Sequence, residues 1–287
     1  MSGFENIETT KRLQVGEPSC WIEAFARSHR GKVREENQDR FLLELVSGWG
    51  ETGALLAMVA DGMGGHQGGS QAASIAVQTV FESLTSRPPG VHLYDQLAAS
   101  FVDADNAIRQ RALQDTSLTT MGTTGVATVC FPGECVHLYT GDSRLYHFRG
   151  GELLYSTRDH SVVRYLQDEG LLTPEEARTH PMRSRLTSSL GGGVQEKRLV
   201  LEPRWSDEKD THHQPSILTL TKGDIVLICS DGLCGEVSAE QLTGWVQLYS
   251  EAPEKLTEAC VQGALEAGGR DNITVIVLLS RADLPAS

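Results

Sequence analysis

Long apolar runs are missing from this chain of 287 residues. None approaches the roughly eighteen apolar residues needed to cross a bilayer, and the N-terminus carries no apolar core of a secretory signal. The expectation is a cytoplasmic protein with no membrane span. Positive charge is also scarce: 25 Lys+Arg stand against 38 Asp+Glu, a formal net charge of -13. That excludes broad binding to nucleic acid, where a basic face dominates affinity. An anionic substrate would have to be drawn in by local positive charge, from arginine or bound cations. Histidines at zinc-finger spacing are absent around the two C-x4-C pairs, Cys130/Cys135 and Cys229/Cys234. Several cysteines lie in apolar runs (VATVCF, IVLICS), so they read as buried, reduced thiols. Repeats, low-complexity segments and a linker between equal halves are missing too.

What is present suits one large domain. The hydrophobic share is 39% and the charged share 22%, ordinary values for a globular chain. Residues 1–19 are polar and aperiodic and read as a flexible N-terminal leader, with the domain over 20–282. The pattern then predicts strands over 20–28, 41–46 and 55–60. A helix with Ser70 as its capping type and a second over 93–114 follow. Strands are expected over 125–131, 134–140, 144–148, 225–229 and 273–279. Capping boxes at Thr173–Glu176 and Ser238–Gln241, and Pro253, open further helices. The short helical piece over 161–190 reads as a flap. The polar loop 203–216, with His212 and His213, reads as solvated. Clustered hairpins argue against a doubly wound parallel sheet and favour sheets with paired helices outside.

Chemistry gathers at strand ends. The run Leu55–Ala60 stops at Asp61, followed at once by Gly62, Gly64, Gly65, Gly68 and Gly69. Glycines let the backbone bend tightly and come close to something bound. Asp142 lies at a turn between strands, Asp231 follows the apolar run 225–229, and Asp271 precedes the run 273–279. A single Asp beside Gly is an ordinary turn. Four carboxylates converging at buried strand ends would repel unless protonated or bridged by cations. An all-oxygen set prefers hard ions, Mg²⁺ or Mn²⁺, over zinc. Two such ions can share a carboxylate, acidify water and aim it at phosphorus. Asp61 is the best bridging candidate, with the Gly62 carbonyl free to ligate. Arg34, near Asn37, Gln38 and Asp39, offers the planar fork that matches phosphate.

The ordered set SHRGKVREENQD (28–39), VADGMGGHQGG (59–69), MGTTGVA (121–127), GDSRLY (141–146), TRDHS (157–161), LTSSLGG (186–192), CSDGL (229–233) and GGRDNITVIV (268–277) resembles the bacterial form of the PP2C family of metal-dependent serine/threonine phosphatases. The resemblance implies an α+β fold: a central β-sandwich of two antiparallel sheets flanked by pairs of helices. It implies two Mn²⁺ or Mg²⁺ ions and a weaker third. Asp61 would bridge the pair, and the Gly62 carbonyl would bind the first ion. Asp231 and Asp271 would bind the second, Asp39 would hold it directly or through water, and Asp142 would share the third with Asp231. Arg34 would hold the substrate phosphate and Asn272 would orient neighbouring ligands. Thr123, Thr124 and His160 read as structural.

The implied reaction is direct attack of a metal-bridging hydroxide on phosphoserine or phosphothreonine, with no phosphoenzyme. No cysteine opens a C-x5-R loop, which disfavours a covalent cysteine route. Implied partners are phosphoproteins and a serine/threonine kinase, with the chain a monomer. Two positions depart from the family. Met63 stands where many relatives outside bacteria place a histidine acid, leaving His66 as a substitute, and Gln38 stands where many carry glutamate. The alternatives are an inactive phosphoprotein-binding scaffold of the same fold, another metal-dependent phosphoesterase, and a metal-stabilised structural module.

Overall fold

All seven residues from Ala54 to Ala60 are fully buried, although they point alternately to opposite sides. Leu55, Ala57 and Val59 enter one apolar cluster, and Leu56, Met58 and Ala60 enter another. An antiparallel strand often keeps one wet, polar face. Here both faces are covered, which is why the run reads as continuously apolar.

In a computed structural model of the chain, residues 8–9, 21–47, 49, 53–64, 68–86, 92–192, 199–205 and 215–281 are described. The first elements are β1 (Glu8–Thr9), β2 (Ile22–His29), β3 (Arg40–Val46), β4 (Ala54–Ala60), β5 (Gly62–Met63), α1 (Gly68–Ser86) and α2 (Leu93–Gln114). Next come β6 (Gly122–Thr123), β7 (Gly125–Phe131), β8 (Glu134–Thr140), β9 (Arg144–Arg149), β10 (Glu152–Ser156), α3 (Val162–Asp168), α4 (Pro174–Thr179) and β11 (Leu190–Gly191). The chain closes with β12 (Ile217–Thr219), β13 (Ile225–Cys229), α5 (Asp231–Cys234), α6 (Ala239–Leu248), α7 (Pro253–Ala267) and β14 (Ile273–Ser280).

Two sheets, ordered β1-β2-β14-β13-β9-β10 and β12-β8-β7-β4-β3, stack face to face, and every pairing in them is antiparallel. Between them lies a core that includes Leu55, Val126, Tyr139, Val226 and Ile276. On one outside face α1 and α2 pack through Ala73, Ala76, Leu97, Phe101 and Ile108. On the other, α5, α6 and α7 pack through Leu233, Leu242, Leu256 and Cys260 against Val275 and Val277. The expected sandwich with helices outside is the observed architecture. Each Leu, Ile or Phe so enclosed contributes about 1.5–3 kcal/mol. A small sheet, β11-β6-β5, caps one end of the sandwich beside Asp61.

Three details differ from the sequence reading. Cys130 and Cys135 are joined by a disulfide, not held as free thiols. They face each other across the β7–β8 hairpin, one pair in from its Phe131–Glu134 closure, with Cα atoms 4.2 Å apart. That spacing is typical of a non-hydrogen-bonded pair, where side chains approach most closely. Helix α1 begins at Gly68, so Ser70 sits inside its first turn and not ahead of it. Glu8 and Thr9, within the expected leader, pair with Ala26 and Arg27 at the edge of β2. His66 and residues 206–214, with His212 and His213, lie outside the described residues. Both capping boxes form, and α3 and α4 lie within residues 161–190.

Candidate metal centre

Asp61 is delivered by the end of β4 and locked through its backbone. Its N–H donates to Thr124 Oγ1 at 3.0 Å. Its carbonyl accepts from Thr124 N–H and Thr123 Oγ1, each at 2.9 Å. Thr123 and Thr124 are therefore the clamp that fixes where this carboxyl points. Gly62 follows with no room for a side chain: a Cβ would strike Gly69 O, and would lie 2.7 Å from Gln38 O.

Asp231 is the first residue of α5, just past the end of β13. Asp142 occupies the turn between β8 and β9. Burial first, then neighbouring acids, push the Asp61 and Asp142 carboxyls well above the ordinary range, and burial with Asp271 raises Asp231. Repulsion from Asp231 and Asp39 adds to the effect of burial on Asp61, so the cluster favours a proton or a cation. Asp39, immediately ahead of β3, is 2% exposed and is pushed up to about 7 by burial.

Asp39 is positioned by hydroxyls from distant strands. Its Oδ2 accepts from Ser230 Oγ and Thr274 Oγ1, both at 2.7 Å. Since Thr274 uses its one hydroxyl proton there, it accepts from Ser28 Oγ at 2.8 Å. Ser28 in turn accepts from Asn37 Nδ2 at 2.8 Å. Asn37, Ser28 and Thr274 thus form a directed relay ending on Asp39. The other oxygen, Asp39 Oδ1, is buried without a hydrogen-bond partner among the described residues, and so is Asp231 Oδ1. Two orphaned carboxylate oxygens beside further acids are costly in a dry site and are what a hard cation would satisfy. Among the described residues no three acid, His or Cys side chains are closed into a ready chelating set. An arginine faces the acids instead.

That arginine is Arg34, whose Nη2 donates to Asp271 Oδ2 at 2.5 Å. Asn272 staples the loop that carries it. Its Oδ1 accepts from Gln38 N–H at 2.8 Å, and its Nδ2 donates to Arg30 O at 2.8 Å and Glu36 O at 2.9 Å. An open cleft of about 650 Å³ brings Arg34, Asp61, Gly62, Asp142, Asp231 and Asp271 to one surface, with Gln38 and Asn272 at its wall. Met63, Ser184 and Leu186 line the same cleft. Asp39 lies behind it.

One acid escaped the sequence reading. Asp159 in TRDHS raises both Asp142 and Asp231 electrostatically, while Arg144 grips its two oxygens at 2.7 Å each. It follows no apolar run, so the strand-end signal passed over it. Ser230 and Thr274 also went unnoticed, because nothing local marks a hydroxyl that will meet Asp39 from another strand.

The chain matches the family model described as Protein phosphatase 2C over residues 27–266. It is 35% identical over 255 residues to the serine/threonine protein phosphatase PstP of Mycobacterium tuberculosis, covering 88% of this chain and 44% of that protein. The chain thus spans less than half of that relative's length. It is 32% identical over 251 residues to the protein phosphatase PhpP of Streptococcus pneumoniae, covering 86% of this chain and 93% of PhpP. Among solved structures, the catalytic domain of PstP in complex with two manganese ions superposes with a TM-score of 0.73 at 31% identity, covering 91% of this chain and 99% of that one.

Proposed function

The chain belongs to the protein phosphatase 2C family, and from that premise we propose that it hydrolyses phosphoserine and phosphothreonine in proteins. The observation that carries this reading is the convergence of Asp61, Asp142, Asp231 and Asp271 on one cleft with Arg34, above two orphaned carboxylate oxygens. The donors are all oxygen, which fits Mn²⁺ or Mg²⁺. Asp61, the Gly62 carbonyl, Asp39, Asp231 and Asp271 would hold a pair of ions, and Asp142 with Asp231 a weaker third. When bound, such ions neutralise the acids and acidify water beside phosphorus.

The chain's own residues do the rest. Arg34 binds phosphate: one nitrogen is engaged by Asp271, and the guanidinium keeps further donors for phosphoryl oxygens. Asn272 and Gln38 fix the loop on which it rides. The Thr123–Thr124 clamp holds Asp61 rigidly, so charge is placed before substrate arrives and little reorganisation remains. Met63 cannot give a proton to the departing seryl oxygen, so water in the open cleft supplies it. Substrates arise from a serine/threonine kinase, and the protein acts as a cytoplasmic monomer. Among the described residues no helix is long and apolar enough to cross a membrane.

The test is hydrolysis of a phosphothreonine peptide with Mn²⁺. Loss of turnover with chelator and with Asp231→Asn supports the reading. Stoichiometric phosphopeptide binding without turnover would support the inactive scaffold instead.

A further inference from the structure

Outside the acid cluster, Tyr139, His160 and the half-buried Glu202 form a polar group of their own. Tyr139 is fully buried in β8, and His160 is 8% exposed. Tyr139 and Glu202 bridge through their backbones, N–H to carbonyl in both directions, at 2.7 and 3.0 Å. Tyr139 Oη donates to Glu202 Oε2 at 2.9 Å and accepts from Arg158 N–H at 3.1 Å. The Tyr139 and His160 rings stack with centroids 5.1 Å apart.

His160 grips Gly141 from both sides. Its N–H donates to Gly141 O at 2.8 Å, and its Nδ1 accepts from Gly141 N–H at 3.3 Å. Gly141 immediately precedes Asp142 and holds a φ of 101°, with Thr124 packed where a Cβ would be. Because Nδ1 accepts, a neutral ring must carry its proton on Nε2. Nε2 is buried with no aligned hydrogen-bond partner among the described residues, and Glu202 Oε2 lies 3.3 Å away as an ion-pair contact. That carboxylate, whose own pKa is lowered first by His160, favours the tautomer that leaves Nδ1 free to grip the turn. His160 O also accepts from Thr187 N–H at 2.8 Å, at the C-terminal stem of the flap.

We infer that Glu202, acting through His160, is a positioning residue that sets the Asp142 turn for the weakest-held divalent cation. This rests on the proposed ligand role of Asp142. A carboxylate that orients a histidine, which orients a ligand-bearing turn, works as outer-shell partners do, and losing such a partner typically weakens a metal about 10–100-fold.

The test counts and titrates Mn²⁺ by electron paramagnetic resonance on the full chain, without substrate, for wild type, Asp142→Asn, His160→Ala, His160→Asn and Glu202→Gln. Folding is checked by circular dichroism melts. The expected result is that Asp142→Asn and His160→Ala each weaken the loosest Mn²⁺ site at least tenfold and leave the tighter ions unchanged. His160→Asn, whose amide oxygen can still meet Gly141 N–H, recovers most of the affinity, and Glu202→Gln falls between. If Asp142→Asn weakens that site while His160→Ala and Glu202→Gln leave it at the wild-type value, the inference fails and the Asp142 reading stands. If Asp142→Asn changes nothing, both fail. Should His160→Ala not fold, Glu202→Gln, altered on a partly exposed side chain, decides alone.

Discussion

Asn272→Ala should damage substrate binding through a loop the side chain never leaves. Asn272 is 4% exposed and makes three hydrogen bonds to backbone groups of Arg30, Glu36 and Gln38. Truncation removes all three and orphans one N–H and two carbonyls. At about 1 kcal/mol net for each bond, the loss is about 3 kcal/mol. A domain of this size melts roughly 2–4 °C lower per kcal/mol, so the midpoint should fall by about 6–12 °C. The freed loop carries Arg34, and blurring its guanidinium by even 1.4 kcal/mol raises the phosphopeptide KM about tenfold. Asn272→Asp is the harsher probe: it keeps an acceptor for Gln38 N–H, loses both donors and adds a charge beside Asp271. With a buried carboxylate oxygen now against the Arg30 and Glu36 carbonyls, its melting loss should be at least as large as that of alanine, with a comparable or larger KM penalty. The assay is calorimetric melting together with phosphopeptide kinetics at saturating Mn²⁺. An Asn272→Ala protein that melts with wild type and keeps its KM would refute the stapling argument.

Chelated protein should lose stability as pH rises from 5 to 8. The Asp39, Asp61 and Asp142 carboxyls are raised by burial, so the fold holds protons that the unfolded chain releases near pH 4, and that stabilisation fades as pH climbs through the folded values. Asp61→Asn should flatten the trend in melts run with EDTA; parallel pH curves for wild type and variant would contradict it. Gly62→Ala, whose Cβ meets Gly69 O and Gln38 O, should abolish tight Mn²⁺ binding measured by calorimetry, whereas Gly244→Ala, with open space at its Cβ, should not. Reducing the Cys130–Cys135 bond, which closes a loop of about six residues, should cost about 2 kcal/mol, read as a lower melting point in dithiothreitol that Cys130→Ala/Cys135→Ala no longer shows.

Much of the fold was legible because burial and period coincide here. β7, β8, β13, α2 and α7 sit where apolar alternation, capping residues and proline put them. The acids at Asp61, Asp142, Asp231 and Asp271 announced themselves by ending or opening apolar runs, and the cleft gathers all four. What stayed hidden is non-local. β5, β6 and β11 are two-residue strands whose identity is only their pairing with each other. The hydroxyl relay to Asp39 joins residues separated by as many as 246 positions. The disulfide could have been found: with the Phe131–Glu134 turn in place, Cys130 and Cys135 must face each other, but apolar surroundings argued for thiols. Asp159 and Glu202 show the same limit, since each matters through the group it touches and not through its neighbours in sequence.

The most direct measurement is an anomalous difference map from crystals soaked in Mn²⁺. Two peaks are expected about 3.5–4 Å apart, with the Asp61 carboxylate between them and Asp231 and Asp271 on one. A map with no peak at Asp61, in protein that still hydrolyses the phosphopeptide, would contradict it.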